Sequence, residues 1–263
     1  MPIRIALILS FALATCFSKP CRAEDQPVHL FILSGQSNMA GMNPKTGFES
    51  EAKELFGENG FAYLKVARGG QPIRKWIAEW PELTKKHGLK TPGAPQRKNQ
   101  KAAASQKNSG HQTVYYQPIL DQYAKLIEKH PNPASVTFCW MQGVRDAKEK
   151  LSAAYADALG QLINNLRRDL KQPNMYFVIG RLSDFSTESH WEAVRDAQVQ
   201  LSKDDPRGAW VDCDDLNNKE RNGVKRDDLH YTADGYELLG RRYVRQAKAM
   251  IDGNKPADNG RPE

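Results

Sequence analysis

The sequence predicts an α/β fold, a three-layer α/β/α sandwich around a mainly parallel five-stranded sheet. Two observations predict it. Short apolar runs rich in β-branched and aromatic residues alternate along the chain with longer segments whose apolar residues recur at helical spacing. Several of the short runs stop abruptly in glycine and small polar residues, the punctuation of strands whose carboxyl ends face a ligand crevice. A third observation bounds the count of domains. The chain has 263 residues with no internal repeat and no second apolar core, so one large domain accounts for it.

The first strand is Val28-His29-Leu30-Phe31-Ile32-Leu33, apolar enough to be buried on both faces. It halts at Ser34-Gly35-Gln36-Ser37-Asn38, which places the Ser37 hydroxyl at a tight turn. Glu51–Phe56 suits a short helix, and Phe61–Val66 a second strand ending in Ala67-Arg68-Gly69-Gly70-Gln71-Pro72-Ile73. The paired glycines let the backbone turn sharply and approach a ligand. Ile73–Trp80 again has roughly helical spacing. Tyr115–Glu128 is a helix closed by Pro131 and Pro133, and Ser135–Met141 is the third strand, ending in Gln142-Gly143-Val144-Arg145-Asp146. Leu151–Leu170 carries Leu151, Ala154, Tyr155, Ala158, Leu162, Ile163 and Leu166 on one helical face. Met175–Ile179 is a strand, Trp191–Leu201 a helix, Ala209–Val211 a short strand and Tyr236–Ile251 the closing helix. Residues 253–263 are polar with Pro and Gly and read as a flexible tail.

Residues 1–23 read as a secretory signal rather than part of the domain: Arg4, then apolar Ile5–Phe17, then Cys21-Arg22-Ala23 before Glu24. Leu13-Ala14-Thr15-Cys16 loosely resembles a lipid-attachment site, with Thr15 a poor residue before the cysteine. Export to the periplasm or medium is therefore expected, and nothing later in the domain, residues 24–252, suits a membrane span. Cys139 and Cys213 remain after cleavage; they read as buried free thiols, with a bridge as the alternative. The net charge of +7 is partly local. Thr84–Thr113 holds Lys85, Lys86, Lys90, Arg97, Lys98, Lys101 and Lys107 and no acid, a polar insertion that reads first as a solvated loop and second as a guide for acidic polymers. It has no aromatic interleaving, so no nucleic-acid partner is expected. Asp212, Asp214 and Asp215 lack the regular spacing of a calcium loop and read as surface charge. No metal site or cofactor motif is present in the sequence.

A serine nucleophile needs a base, an acid that orients the base, and donors for the oxyanion. Ser37 is the candidate nucleophile. Arg226-Asp227-Asp228-Leu229-His230 supplies a candidate base in His230 and an orienting acid in Asp227, with Asp228 expected to point elsewhere. Trp76, Trp80 and Trp191 are candidate ligand-stacking rings, with core packing as the commoner role for each. His190 is a second candidate lining residue.

Gly35-Gln36-Ser37-Asn38, Gly69-Gly70-Gln71-Pro72-Ile73, Trp140-Met141-Gln142-Gly143 and Asp227-Asp228-Leu229-His230 occur in this order, and together they resemble the SGNH-hydrolase superfamily. The likeness is to its sialate O-acetylesterase-like branch, carbohydrate esterase family six, which includes acetylxylan esterase-like members. It covers roughly Val28–Ile251. It implies a flavodoxin-like sheet of order 2-1-3-4-5, hydrolysis of acetylated carbohydrate through an acyl-enzyme, and no cofactor or metal. It implies Ser37 as nucleophile, His230 as base and Asp227 as acid. It implies an oxyanion hole of the Ser37 and Gly70 N–H groups and the Gln142 amide, with Gln36, Asn38, Gly69 and Gly143 as substrate-binding neighbours. The branch commonly has Q-G-E-x-D, and here Val144 stands at the glutamate position. That departure opens a second reading, a catalytically weakened carbohydrate-binding protein on the same fold. A lipid or thioester substrate is a third, which the lack of a large apolar lid-like segment disfavours. The sugar, the acetyl position and the oligomeric state are not encoded in any motif.

Overall fold

The computed structural model describes residues 27–90 and 113–263. The proposed signal segment and most of the basic insertion lie outside the described residues. Five parallel strands form the central sheet: β1 (His29–Gly35), β2 (Phe61–Ala67), β3 (Ser135–Met141), β4 (Tyr176–Gly180) and β5 (Gly208–Val211). Their order is β2-β1-β3-β4-β5, as expected. Leu30, Phe31, Ile32 and Leu33 of β1 are fully buried, which is what an uninterrupted apolar run in a central parallel strand requires.

Helices cover both faces. The helices α2 (Gly47–Phe56) and α8 (Ala233–Ile251) pack on each other, with α8 lying along β3, β4 and β5. The other face carries α4 (Tyr116–Lys129) over β2, α6 (Tyr155–Asp169), and α7 (Ser189–Asp204) over β4 and β5, with α3 (Trp80–Lys86) against α6. The stripe Leu159, Leu162, Ile163 and Leu166 of α6 is buried, the consequence of its 3.6-residue apolar spacing. Trp76, Trp80 and Trp191 are also buried, so core packing is their role here. The apolar spacing of Ile73–Trp80 resolves into a 3₁₀ turn, Ile73–Lys75, followed by α3.

Three elements go beyond the sequence reading. Two are five-residue helices, α1 (Ser37–Gly41) and α5 (Val144–Lys148), too short for a periodic signal. The third is the antiparallel hairpin β6 (Asn218–Arg221) and β7 (Val224–Asp227). Its strands are almost wholly polar, which hides them from an apolar pattern. Its turn, Asn222-Gly223, has φ of 55° and 75°, and an Asn-Gly pair of this kind is itself a strong hairpin signal.

Several expectations are corrected. Thr84 does not begin a loose insertion: it lies within α3, is buried, and donates its hydroxyl to the Pro81 carbonyl. His87 then reaches Asp157 at 2.8 Å. The expected flexible tail is docked: the Ala257 N–H donates to Gln246 Oε1, and the Gly260 carbonyl accepts from the Asp212 N–H. Asp212, Asp214 and Asp215 are not free surface charge. Arg181 bridges Asp212 and Asp214, Arg195 holds Asp214, Arg242 holds Asp215, and Arg261 closes on Asp212. Burial works against ionisation of Asp212, yet Arg181 and Arg261 hold its carboxyl below the usual value. Cys139 and Cys213 are buried free thiols, as first read, and burial pushes Cys213 up to about 12. Cys139 lies on β3 and Cys213 follows β5, with β4 between them, a separation of about 10 Å that a disulfide does not span.

Candidate active site

The chain reverses direction across the sheet at β1, since β2 lies on one side of it and β3 on the other. Ligands of open α/β sheets bind outside the carboxyl ends of strands at such a switch. Ser37 sits there, half-buried, as the first residue of α1. The turn that delivers it depends on Gly35, whose φ is 144° and at which a Cβ would lie 2.1 Å from the Met141 carbonyl oxygen. Only glycine fits that approach.

The Gly69-Gly70 loop faces this serine. A Cβ built on Gly69 would lie 3.7 Å from Ser37 Cβ. Gly70 is exposed with φ of 70°, and its N–H has no hydrogen-bond partner among the described residues. The loop is anchored from two sides. The Arg68 N–H donates to the Gly35 carbonyl at 3.1 Å, and the Ile73 N–H donates to Asp146 Oδ2 at 3.0 Å.

Asp146 is the hub of a buried network and makes no ion pair with its neighbour Arg145. Arg145 pairs instead with Glu149, which also receives Arg74. Asp146 is fully buried and accepts from Gln142 Nε2 at 2.5 Å as well as from Ile73. Burial raises its carboxyl to about 6, against the pull of Gln142, the Ile73 N–H and Arg74, with Glu149 adding repulsion. The signal that could have found it is an acid directly after a strand-end glycine, in a loop that must hold a neighbouring loop in place.

The expected oxyanion donor Gln142 is corrected by this network. Its side chain is fully buried, and Nε2 points at three acceptors: Asp146 Oδ2, the Gln71 carbonyl at 3.1 Å and Gln36 Oε1 at 3.3 Å. Two amide hydrogens shared among three acceptors leave none for the crevice. Gln142 braces the Gly-Gly loop against Ser37's turn. Three of the expected substrate-binding residues are corrected in the same way. Gln36 is buried, and its Oε1 accepts the N–H groups of Gly143 and Arg145, capping α5. Gly143 is itself buried with φ of 137°, and a Cβ there would lie 2.7 Å from Val194 Cγ1. Asn38 is buried with both ends engaged: Nδ2 donates to the Leu229 carbonyl at 3.1 Å, and Oδ1 accepts from Tyr236 Oη at 3.1 Å. Gly69 alone of the four remains exposed beside Ser37.

Asn38 also reaches the loop that carries His230. Leu229 immediately precedes His230, so one side chain ties the turn of Ser37 to the loop that carries the histidine. His230 is exposed on that loop, ahead of α8, whose first turn Thr232 caps by accepting the Gly235 N–H. The tight Asp227–His230 pairing expected from the spacing is not formed. Asp227 ends β7, and no hydrogen bond joins the His230 ring to Asp227 or to Ser37 among the described residues. Asp228, expected to point elsewhere, accepts the His230 backbone N–H at 3.1 Å and pairs with Lys219. Asp184, in the neighbouring loop after β4, is raised by its partial burial and by repulsion from Asp214 and Asp227. No group of three or more metal-ligating side chains occurs among the described residues.

The arrangement therefore presents a serine hydroxyl at a switch point, an open glycine N–H opposite it, and a histidine on a loop tethered to the serine's own turn. These are groups of the kind a serine hydrolase uses, with no hydrogen bond between the imidazole and the hydroxyl among the described residues. Val144, at the glutamate position, is the first residue of α5 and only 6% exposed, so it packs inward rather than facing the crevice.

Three solved structures share the fold. A protein from Arabidopsis thaliana aligns at 18% identity with a TM-score of 0.56, over 85% of this chain and 98% of that one. A carbohydrate acetylesterase from Xanthomonas citri aligns at 16% identity and 0.55, over 87% of this chain and 57% of that one. NanS aligns at 11% identity and 0.56, over 87% and 99%. No curated protein matches the sequence. The family model described as carbohydrate esterase, sialic acid-specific acetylesterase matches residues 41–249, a span that begins just after Ser37 and contains the Gly69–Ile73, Trp140–Gly143 and Asp227–His230 stretches. By that match, which takes in most of its length, the chain belongs to the sialic acid-specific acetylesterase family of carbohydrate esterases.

Proposed function

We propose that this carbohydrate esterase is an exported enzyme that removes O-acetyl groups from acetylated xylan, sialic acid or a related polysaccharide through an acyl-enzyme on Ser37. The observation that carries the reading is the approach of the Gly69-Gly70 loop to Ser37, close enough that a Cβ built on Gly69 would lie 3.7 Å from the serine Cβ. Ser37 Oγ attacks the acetyl carbonyl while His230 takes its proton. The tetrahedral oxyanion is received by the N–H groups of Ser37 and Gly70, each such donor contributing about 3 kcal/mol to the transition state. Collapse expels the sugar hydroxyl, to which His230 returns the proton. Water, deprotonated by His230, then releases acetate from Ser37. Docking of the His230 ring onto Ser37 accompanies substrate binding; Asp227 orients the ring once the β7–α8 loop closes. Export rests on the charged and apolar pattern of residues 1–23.

Two observations favour a second reading, a weakened esterase that chiefly binds carbohydrate: the undocked His230 and the inward-facing Val144. One comparison separates the two. Wild type should hydrolyse p-nitrophenyl acetate and release acetate from acetylated xylan or O-acetylated sialic acid, and Ser37→Ala should lose several orders of magnitude in turnover while staying folded. Saccharide binding without acetate release by wild type would establish the second reading. Near-normal turnover in pure Ser37→Ala protein would remove Ser37 from the mechanism.

A further inference from the structure

A second cleft opens on the carboxyl edge of the sheet, apart from Ser37. It has a volume of about 110 Å³ and is lined by Ala147 and Lys148 of α5, Phe185, Ser186 and Glu188 of the loop after β4, and Trp191 of α7. Its floor is aromatic. Phe185 is 39% exposed, one of three large apolar side chains open to solvent among the described residues, and the other two lie on the β6–β7 hairpin and ahead of α4. Its ring leans on Trp191, with centroids 5.7 Å apart and planes inclined at 52°.

The loop that presents this ring is held firmly. Trp191 is 3% exposed and donates Nε1–H to the Ser183 carbonyl at 2.8 Å. The Leu182 N–H donates to Gln198 Oε1 at 2.8 Å, and Arg195 reaches the Leu182 carbonyl. The Glu188 N–H donates to Ser186 Oγ at 3.2 Å, and His190 meets Ser152 Oγ at 2.8 Å. An exposed phenylalanine costs hydration free energy, and in a mobile loop it would fold inward. Here the backbone under it is pinned, and the exposed ring is rimmed by a hydroxyl, a carboxylate and an ammonium group. A flat apolar surface inside a ring of hydrogen-bonding groups matches a pyranose, which has an apolar C–H face and a polar circumference. An acyl chain would use only the ring and leave the polar rim to water.

The position fits the same occupant. The cleft lies between the segments that follow β3 and β4, and Ser37 follows β1, which neighbours β3. At the spacing of adjacent strands the lateral offset is roughly 5–10 Å, a distance that one or two sugar rings bridge. We propose that Phe185, backed by Trp191 and rimmed by Lys148, Ser186 and Glu188, is a sugar-ring subsite that binds the carbohydrate whose acetyl group reaches Ser37. The subsite sets preference for saccharide over small esters. It rests on the acetylesterase reading above.

The test compares wild type, Phe185→Ala and Phe185→Trp on p-nitrophenyl acetate, p-nitrophenyl butyrate and an acetylated xylo-oligosaccharide or O-acetylated sialic acid. Phe185→Ala should lower the ratio of saccharide to p-nitrophenyl acetate kcat/KM by roughly threefold to tenfold, through KM, and Phe185→Trp should preserve it. An unchanged ratio in Phe185→Ala overturns the subsite while leaving the esterase reading intact. A selective loss on the butyrate ester overturns it in favour of an acyl pocket. If wild type deacetylates no saccharide, the esterase reading fails on its own, and calorimetric titration of Ser37→Ala with the unacetylated oligosaccharide still decides the subsite. Binding weakened by adding Phe185→Ala supports it; equal binding, or none, refutes it.

Discussion

Asp146→Asn keeps the shape of the network's hub and removes its charge, so it isolates what the carboxylate does. The folded-state value of about 6 lies roughly two units above the ordinary 3.8. At ~1.4 kcal/mol per unit, holding Asp146 ionised costs the fold about 3 kcal/mol. The sign follows from the protons bound. Between about pH 4 and 6 the folded chain keeps a proton that the unfolded chain has lost, so this group's contribution to stability declines as pH rises through that window. The asparagine has no such proton. Stability of Asp146→Asn relative to wild type should therefore improve by about 3 kcal/mol between pH 4 and pH 7. Catalysis should move the other way. With its carbonyl oxygen where Oδ2 accepts both the Ile73 N–H and Gln142 Nε2, the amide turns its NH2 to the Oδ1 place, 3.3 Å from the Ile73 N–H, and the two bonds it keeps lose their charge assistance. The Gly69-Gly70 loop is then anchored less firmly. The kcat on p-nitrophenyl acetate should fall by about ten- to a hundredfold, bounded by the ~3 kcal/mol of one oxyanion donor. Urea unfolding at intervals across the pH window, together with steady-state kinetics, reads both effects. A stability difference that does not vary with pH, or an unaltered kcat, would refute the assignment of Asp146 as the residue that positions the Gly70 loop.

His230→Ala should remove most esterase activity on small and saccharide esters alike; survival of activity in the pure variant assigns the base elsewhere. Asn38→Ala breaks the link between Ser37's turn and the Leu229 carbonyl, so kcat should fall while the protein stays folded by circular dichroism, and an unchanged kcat would show that the tether does not position the base. Val144→Glu places a carboxylate at a site only 6% exposed, so it should destabilise the fold by about 1–3 kcal/mol, read as a lowered Tm, rather than raise kcat; a gain in kcat would make the valine the cause of weak catalysis. Deleting residues 90–107 and bridging the gap should leave p-nitrophenyl acetate hydrolysis largely intact, with loss of global stability the contrary result.

The layers followed from the sequence because buried parallel strands and amphipathic helices are written in local composition, whereas the strand order came from the family resemblance. A run such as Leu30–Leu33 has one stable place, the middle of a sheet covered on both faces. The position of Ser37 was legible for the same reason, since it directly follows such a run, and so was Gly70, since paired glycines mark a backbone that must approach something. The roles of the polar residues were not legible. Gln36, Asn38, Gln142 and Gly143 carry the same letters whether they face a substrate or brace a loop. What decided between these was the approach of elements distant in sequence: Asp146 to Ile73, Asn38 to Leu229, Gln36 to the N-terminus of α5. A buried amide takes whatever partner the packing brings to it, because leaving its hydrogens unpaired costs more than any preference local sequence can express. The acids at Asp212–Asp215 show the same limit from the other side: they read as free charge until Arg181, Arg195, Arg242 and Arg261 arrive from four different segments. Sequence alone determined the buried strands, the layers and the turn that carries Ser37. The tertiary structure decided which polar residues stay open to that crevice, because burial and hydrogen-bond partners are properties of the packed chain and not of any segment within it.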